Sequence, residues 1–123
     1  MTTYTENRLI IEVKKDHNIL LVNWQGKSDA RNPGEFISPI LHRCCTIARE
    51  SSLSIHMNFV NMDMMNSSSI SPLIKMLTEA KKSGQYVVLQ YDEDSRWQRL
   101  NFNALKALQT PGKEISICGI SSH

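Results

Sequence analysis

The sequence predicts an α/β fold, a mixed β-sheet with helices mainly on one face, in the order β-β-α-β-α-β-α-β. Three observations predict it. Residues 53–59 (LSIHMNF) alternate apolar and polar without a break, so they read as a strand with one buried face and one polar face. Two longer stretches, 35–50 and 70–83, carry apolar residues at helical spacing. Beyond residue 34, strands and helices alternate, which calls for crossovers between parallel strands.

The elements follow in order. Arg8–Val13 reads as a strand, Lys14–His17 as a polar turn and Asn18–Trp24 as a second strand, together a hairpin. Residues 25–34, with Gly26, Pro33 and Gly34, read as a loop. Glu35–Glu50 is an amphipathic helix with Phe36, Ile37, Ile40, Leu41, Cys44, Cys45 and Ala48 on one broad face. In the strand Leu53–Phe59, residues Leu53, Ile55, Met57 and Phe59 face inward.

The next helix presents Ile70, Leu73, Ile74, Leu77 and Ala80 to the core. Lys81 and Lys82 favour its C-terminal end, and Gly84 stops it. Tyr86–Tyr91 is a strand. Asp94–Gln109 is a third helix, capped by Asp94 or Ser95, with Trp97, Leu100, Asn101, Ala104, Leu105 and Leu108 on one face. Thr110, Pro111 and Gly112 break it, and Glu114–Gly119 is the last strand.

Composition narrows the function. The chain has 123 residues, 41% hydrophobic and 21% charged, which fits one globular domain over residues 1–123 with a core of its own. The formal charge is +2 and the basic residues are scattered, so no stripe suits a nucleic-acid backbone. No apolar run approaches the roughly 20 residues that span a bilayer, and the N-terminus lacks the pattern of a secretion signal. Cys44, Cys45 and Cys118 are odd in number and lack zinc spacing, which suits buried thiols in a reducing cytoplasm.

Chemistry-bearing motifs are scarce. The sequence holds no Gly-rich phosphate loop, HExxH or GxSxG. Asp92, Glu93 and Asp94 sit where a strand gives way to a helix, a natural place for acids. His17, His42, His56 and His123 form no pair at ligand spacing. The expectation is therefore a protein that is not an enzyme and needs no cofactor or metal. Met57 and Met76 read as core fillers, whereas Met62, Met64 and Met65 can form an adaptable apolar surface.

That surface adjoins the most distinctive stretch, Asn66-Ser67-Ser68-Ser69. A helix start needs one capping residue, worth ~1 kcal/mol, and four polar residues exceed that need. The cap is Asn66, Ser68 or Ser71. The choice decides whether Pro72 lies in the second turn, at the edge of the first, or at the first helical position that proline favours.

At this stretch, and in the order of its elements, the chain resembles the STAS domain, named for sulfate transporters and anti-sigma factor antagonists. That family carries an apolar residue followed by Asp-Ser-Ser/Thr-Gly at the start of the helix after its third strand. Met65-Asn66-Ser67-Ser68-Ser69 is similar, with Asn66 for the Asp and Ser69 for the Gly. Those two departures look more like the SiaC-type branch, small phosphoproteins of bacterial biofilm signalling, whose motif is similar to Asn-Thr-Ser-Ser.

The resemblance implies a cytoplasmic signalling switch phosphorylated at Ser67, with Ser68 the alternative acceptor. It implies an interface of Met64, Met65, Asn66, Ser67, Ser68 and Ser69. The partners it implies are a GHKL-type serine/threonine kinase, a PP2C-type phosphatase and an output partner such as a diguanylate cyclase. The alternatives are an anti-sigma factor antagonist proper, or a STAS-like scaffold or dimerisation module whose serines only cap.

Overall fold

The computed structural model describes residues 1–112 and 114–121. Six strands form one sheet in sequential order: β1 (Thr2–Glu6), β2 (Leu9–Asp16), β3 (Ile19–Ser28), β4 (Ser54–Met65), β5 (Val87–Asp92) and β6 (Ile115–Ile120). β1, β2 and β3 form an antiparallel meander, and β3 to β6 run parallel. Helices α1 (Gly34–Ser51), α2 (Ser67–Ser83) and α3 (Arg96–Leu105) lie in the connections between the parallel strands. This is the predicted mixed α/β architecture with one strand added at its edge.

That added strand, β1, escapes a reading by pattern because no residue in it is fully buried. Both hairpins turn in two residues, Asn7-Arg8 and His17-Asn18, and Asn7 and His17 hold positive φ angles of 55°. Tight hairpin turns require such angles. The expected turn at Lys14–His17 therefore shrinks to its end, and β2 runs on through Lys14 and Lys15 to Asp16.

One sheet face is buried and the other is open. Leu9, Ile11, Leu20, Val22, Trp24, Ile55, Met57, Phe59, Val87, Leu89, Tyr91, Ile115 and Ile117 all join one core cluster with the inner faces of the three helices. The alternate residues, among them Asn23, His56, Asn58 and Gln90, are only half-buried. The helices thus cover one face, as the alternation in β4 predicts.

β3 and β4 extend well past their expected ends at Trp24 and Phe59. They stay paired out to Ser28 and Met65, with register shifts near Gln25 and Gly26. Gly26 makes this possible. Its φ is +93°, and a Cβ there would lie 1.8 Å from the Arg8 carbonyl oxygen, so a side chain has neither the conformation nor the space.

α3 differs most from expectation. The helix ends at Leu105, and Lys106–Leu108 tightens to a 3-10 turn. Its buried stripe is Gln98, Phe102 and Leu105, whereas Leu100 is 59% exposed. Phe102 decides the rotation: its ring centroid lies 4.9 Å from that of Phe59 and 5.5 Å from that of Tyr91. Gln98 then points inward, where its amide is fully used. Nε2 donates to the carbonyls of Phe59 and Met62, both at 2.9 Å, and Oε1 accepts from the Asp92 amide at 2.8 Å. β4 and β5 stop pairing after Asn58 and Gln90, and Gln98 satisfies the backbone groups that the ladder leaves there.

β6 is displaced one residue from its expected bounds, and His123 lies outside the described residues.

Candidate functional site

The carboxyl ends of β3 and β4 meet where β4 enters α2. Asn66 is the N-cap of α2, with extended backbone at φ −77° and ψ 167°. Its Oδ1 accepts the Ser69 amide at 2.9 Å and the Ser69 hydroxyl at 2.6 Å. Its Nδ2 donates to the Ala30 carbonyl at 3.0 Å, and its own amide donates to the Ser28 carbonyl at 3.0 Å. One side chain thus caps the helix and clamps it to the segment after β3.

Ser69 completes the clamp. It is fully buried, and its hydroxyl lies 2.6 Å from the Ser28 hydroxyl and 3.1 Å from the Ser28 carbonyl. Ser28 is itself 3% exposed. A buried hydroxyl needs partners to offset its lost hydration, and Ser28, Ser69 and Asn66 supply them to one another. The four polar residues of the motif therefore divide by role. Asn66 caps, Ser69 anchors, and Ser67 and Ser68 remain exposed on the first turn.

This arrangement places Pro72 at the sixth helical position, the first of the three cap alternatives. Proline is tolerated there because the carbonyl deprived of its usual donor belongs to Ser68, which is exposed to water. Of the residues expected at an interface, Met64 is 40% exposed and Asn66 is half-buried. Met65 is 7% exposed and Ser69 is buried, so neither presents a side chain to a partner. Met62, at 3%, likewise belongs to the core. The methionine surface reduces to Met64 because β4 continues through residue 65 and the register shift between Gly26 and Lys27 breaks its alternation, leaving Met62 and Met65 inward and Met64 outward.

Electrostatically the turn is open. The first turn of α2 contains no acidic residue. Asn66 takes the Ser69 amide, which leaves the Ser67 and Ser68 amides as orphan donors at the positive end of the helix dipole. Arg8 and Asp29, the residue after Ser28, form an exposed ion pair at 3.7 Å, a contact worth little in water.

The remaining titratable chemistry lies elsewhere. All three cysteines are free thiols, buried at Cys44, half-buried at Cys45 and exposed at Cys118. Burial pushes the Cys44 thiol up to about 12, with Cys45 adding to the shift and Arg43 opposing it. It stays protonated across the physiological range, which is unsuited to a nucleophile. Among the described residues, no three His, Cys, Asp or Glu side chains are grouped to hold a metal. No helix of the described residues is long and apolar enough to cross a membrane.

The motif itself is visible in the sequence, but its partners are not. Ser28 and the Ala30 carbonyl lie some forty positions upstream, and no local pattern marks a lone serine at a strand end.

No family model matches the chain, and no curated protein matches it. Solved structures do. One is the anti-sigma factor antagonist SpoIIAA in its unphosphorylated form, 15% identical, with a TM-score of 0.55 over 76% of this chain and 81% of that one. Another is a protein of the DUF3478 family from Shewanella loihica, described as having a SpoIIAA-like fold, 12% identical, with a TM-score of 0.53 over 95% of this chain and 90% of that one. At these identities the likeness shows the fold, which is SpoIIAA-like.

Proposed function

We propose that the chain is a non-enzymatic signalling switch of bacterial STAS type, one cytoplasmic domain controlled by reversible phosphorylation of Ser67. The observation that carries this reading is the division of labour in the serine motif. Ser67 and Ser68 stand exposed on a turn that Asn66 and Ser69 hold rigid. A SpoIIAA-like fold supports it, because the solved SpoIIAA structure is described by its phosphorylation state. The sequence departures at Asn66 and Ser69 favour the SiaC-type branch. The partners are then a GHKL-type kinase, a PP2C-type phosphatase and an output enzyme such as a diguanylate cyclase.

The physics of the switch follows from the site. A phosphate carries about −1.5 to −2 charges. Added to Ser67, it meets the orphan amides of the first turn and the positive helix end, so α2 persists. What changes is the surface. A small neutral hydroxyl, three residues after exposed Met64, becomes a bulky dianion, and a partner that packs an apolar or acidic surface there is expelled.

Intact-mass spectrometry of the protein purified from its own cells tests this, before and after phosphatase treatment. One removable phosphate, mapped by peptide fragmentation to Ser67 and absent in Ser67→Ala, is the expected result. A phosphate on Ser68 moves the acceptor by one residue. Its absence under every growth condition, together with unchanged partner capture by Ser67→Ala and Ser68→Ala, refutes the switch.

A further inference from the structure

A groove of about 480 Å³ runs along the seam between α1 and α2. Its volume falls within the roughly 300–1,000 Å³ range of small-molecule sites. Buried Leu41, Met76 and Ala80 contribute an apolar floor, and both helix prolines, Pro39 and Pro72, line it as well. The charged side chains of the lining are exposed: Arg49 and Lys75, with His42, against a single carboxylate, Glu79. Among the described residues the ion pairs join Arg8 to Asp29 and His17 to Asp16, so neither Arg49 nor Lys75 is neutralised by a salt bridge.

We propose that this groove binds an amphipathic organic monoanion, a carboxylic acid with an apolar chain or ring. The apolar part lies on the Leu41, Met76 and Ala80 floor, and the acid group meets a rim cation. Methionine suits such a floor because its flexible thioether adapts to differing chains. Charge supplies the sign of the ligand: two permanent cations, Arg49 and Lys75, outweigh one acid, Glu79. Half-buried Cys45 also lines the groove. Burial raises the pKa of its thiol, with Arg49 opposing and Glu79 reinforcing the shift, which disfavours the thiolate form. Nothing in this proposal depends on Ser67.

The test is an NMR titration of the labelled full-length protein with decanoate, in parallel with decyltrimethylammonium. Light scattering is recorded at the same protein concentrations. Decanoate is expected to shift amides along α1 and α2 around Cys45, Arg49, Met76 and Ala80, and to bind more tightly than the cation of equal chain length. Lys75→Glu and Arg49→Glu change exposed side chains, so the fold should survive. Together they should weaken decanoate about tenfold or more and reverse the preference. Three results overturn the proposal: binding that ignores the sign of the head group, shifts centred on the open sheet face, or dimerisation that covers the same residues and makes a second copy the occupant.

Discussion

The two helices that follow the parallel strands β3 and β4 both carry proline at the sixth position, Pro39 in α1 and Pro72 in α2. Both sit in short matching segments, Ile-Ser-Pro-Ile-Leu and Ile-Ser-Pro-Leu-Ile. Their first turns are nonetheless built differently. α1 begins at Pro33, with no side-chain cap and with Glu35 in the first turn. Its opening bonds are backbone to backbone, from the amides of Phe36 and Ile37 to the Pro33 carbonyl. α2 begins at Asn66, with a side-chain cap, no acid in its first turn, and a buried serine that ties it to the end of β3. One helix start therefore contains its own anion. The other is anchored more firmly and left without one, which suits a site where charge is added later.

The firmness of the α2 start rests first on Gln98, which holds the diverging end of the strand that feeds it. Gln98→Ala would leave the Phe59 and Met62 carbonyls and the Asp92 amide without their partner, so a loss of about 3 kcal/mol is expected. Urea denaturation measures it. A loss below that of an ordinary surface mutation would show that water replaces the amide at no cost. Asn66→Ala comes next, at about 2 kcal/mol, because it removes a cap together with partners of Ser69 and Ala30. Pro33→Ala at the corresponding position of α1 removes no side-chain bond; Pro33 is buried, so its expected loss is one of packing alone, about 1 kcal/mol. Equal losses at the two positions would erase the distinction between the helix starts.

The Ser28–Ser69 contact isolates one link of the clamp. A double-mutant cycle through Ser28→Ala and Ser69→Ala is expected to give a coupling of about 1 kcal/mol, since the hydroxyls are buried and bonded to each other. A coupling near zero would mean that the other partners, Asn66 Oδ1 and the Ser28 carbonyl for Ser69, already satisfy these hydroxyls.

The sequence is informative in this protein wherever one local pattern decides the outcome. Alternation in residues 53–59 identifies the buried face of β4, and helical spacing identifies α1 and most of α2. Asn66 to Ser69 stands out as polar excess before an apolar run. The failures share a cause, which is that long-range partners decide. β1 is a strand because β2 offers it an edge, although its own residues are exposed or half-buried. β4 reaches Met65 because β3 continues beside it. Gln98 reads as a solvent residue until the gap between β4 and β5 shows what its amide satisfies. Ile74, expected in the core, is 41% exposed, and Met76 takes the inward place two residues on. Serine identity alone likewise could not show that Ser69 anchors while its neighbours face water.

The smallest expected effect bears most directly on the comparison. If the α2 start is open to an anion and the α1 start is already filled, moving a charge should act oppositely at the two ends. Ser67→Asp places a carboxylate in the acid-free first turn, and a gain of about 0.5 kcal/mol is expected. Glu35→Gln removes the acid of α1, and a loss of similar size is expected, about 0.5 kcal/mol. The favourable helix end depresses the pKa of the carboxyl introduced at position 67 relative to the unfolded chain. Its contribution is therefore present above the ordinary aspartate value of about 4 and lost as pH falls below it. Salt near 1 M shortens the screening length to about 3 Å and should shrink both effects together. Thermal unfolding of the two variants at low and high salt, and at pH 7 and pH 3, reads all of this. A destabilising Ser67→Asp at low salt would mean that the turn repels an anion. Phosphorylation of Ser67 would then strain α2 itself, and the switch would work by loosening the helix start rather than by changing its surface.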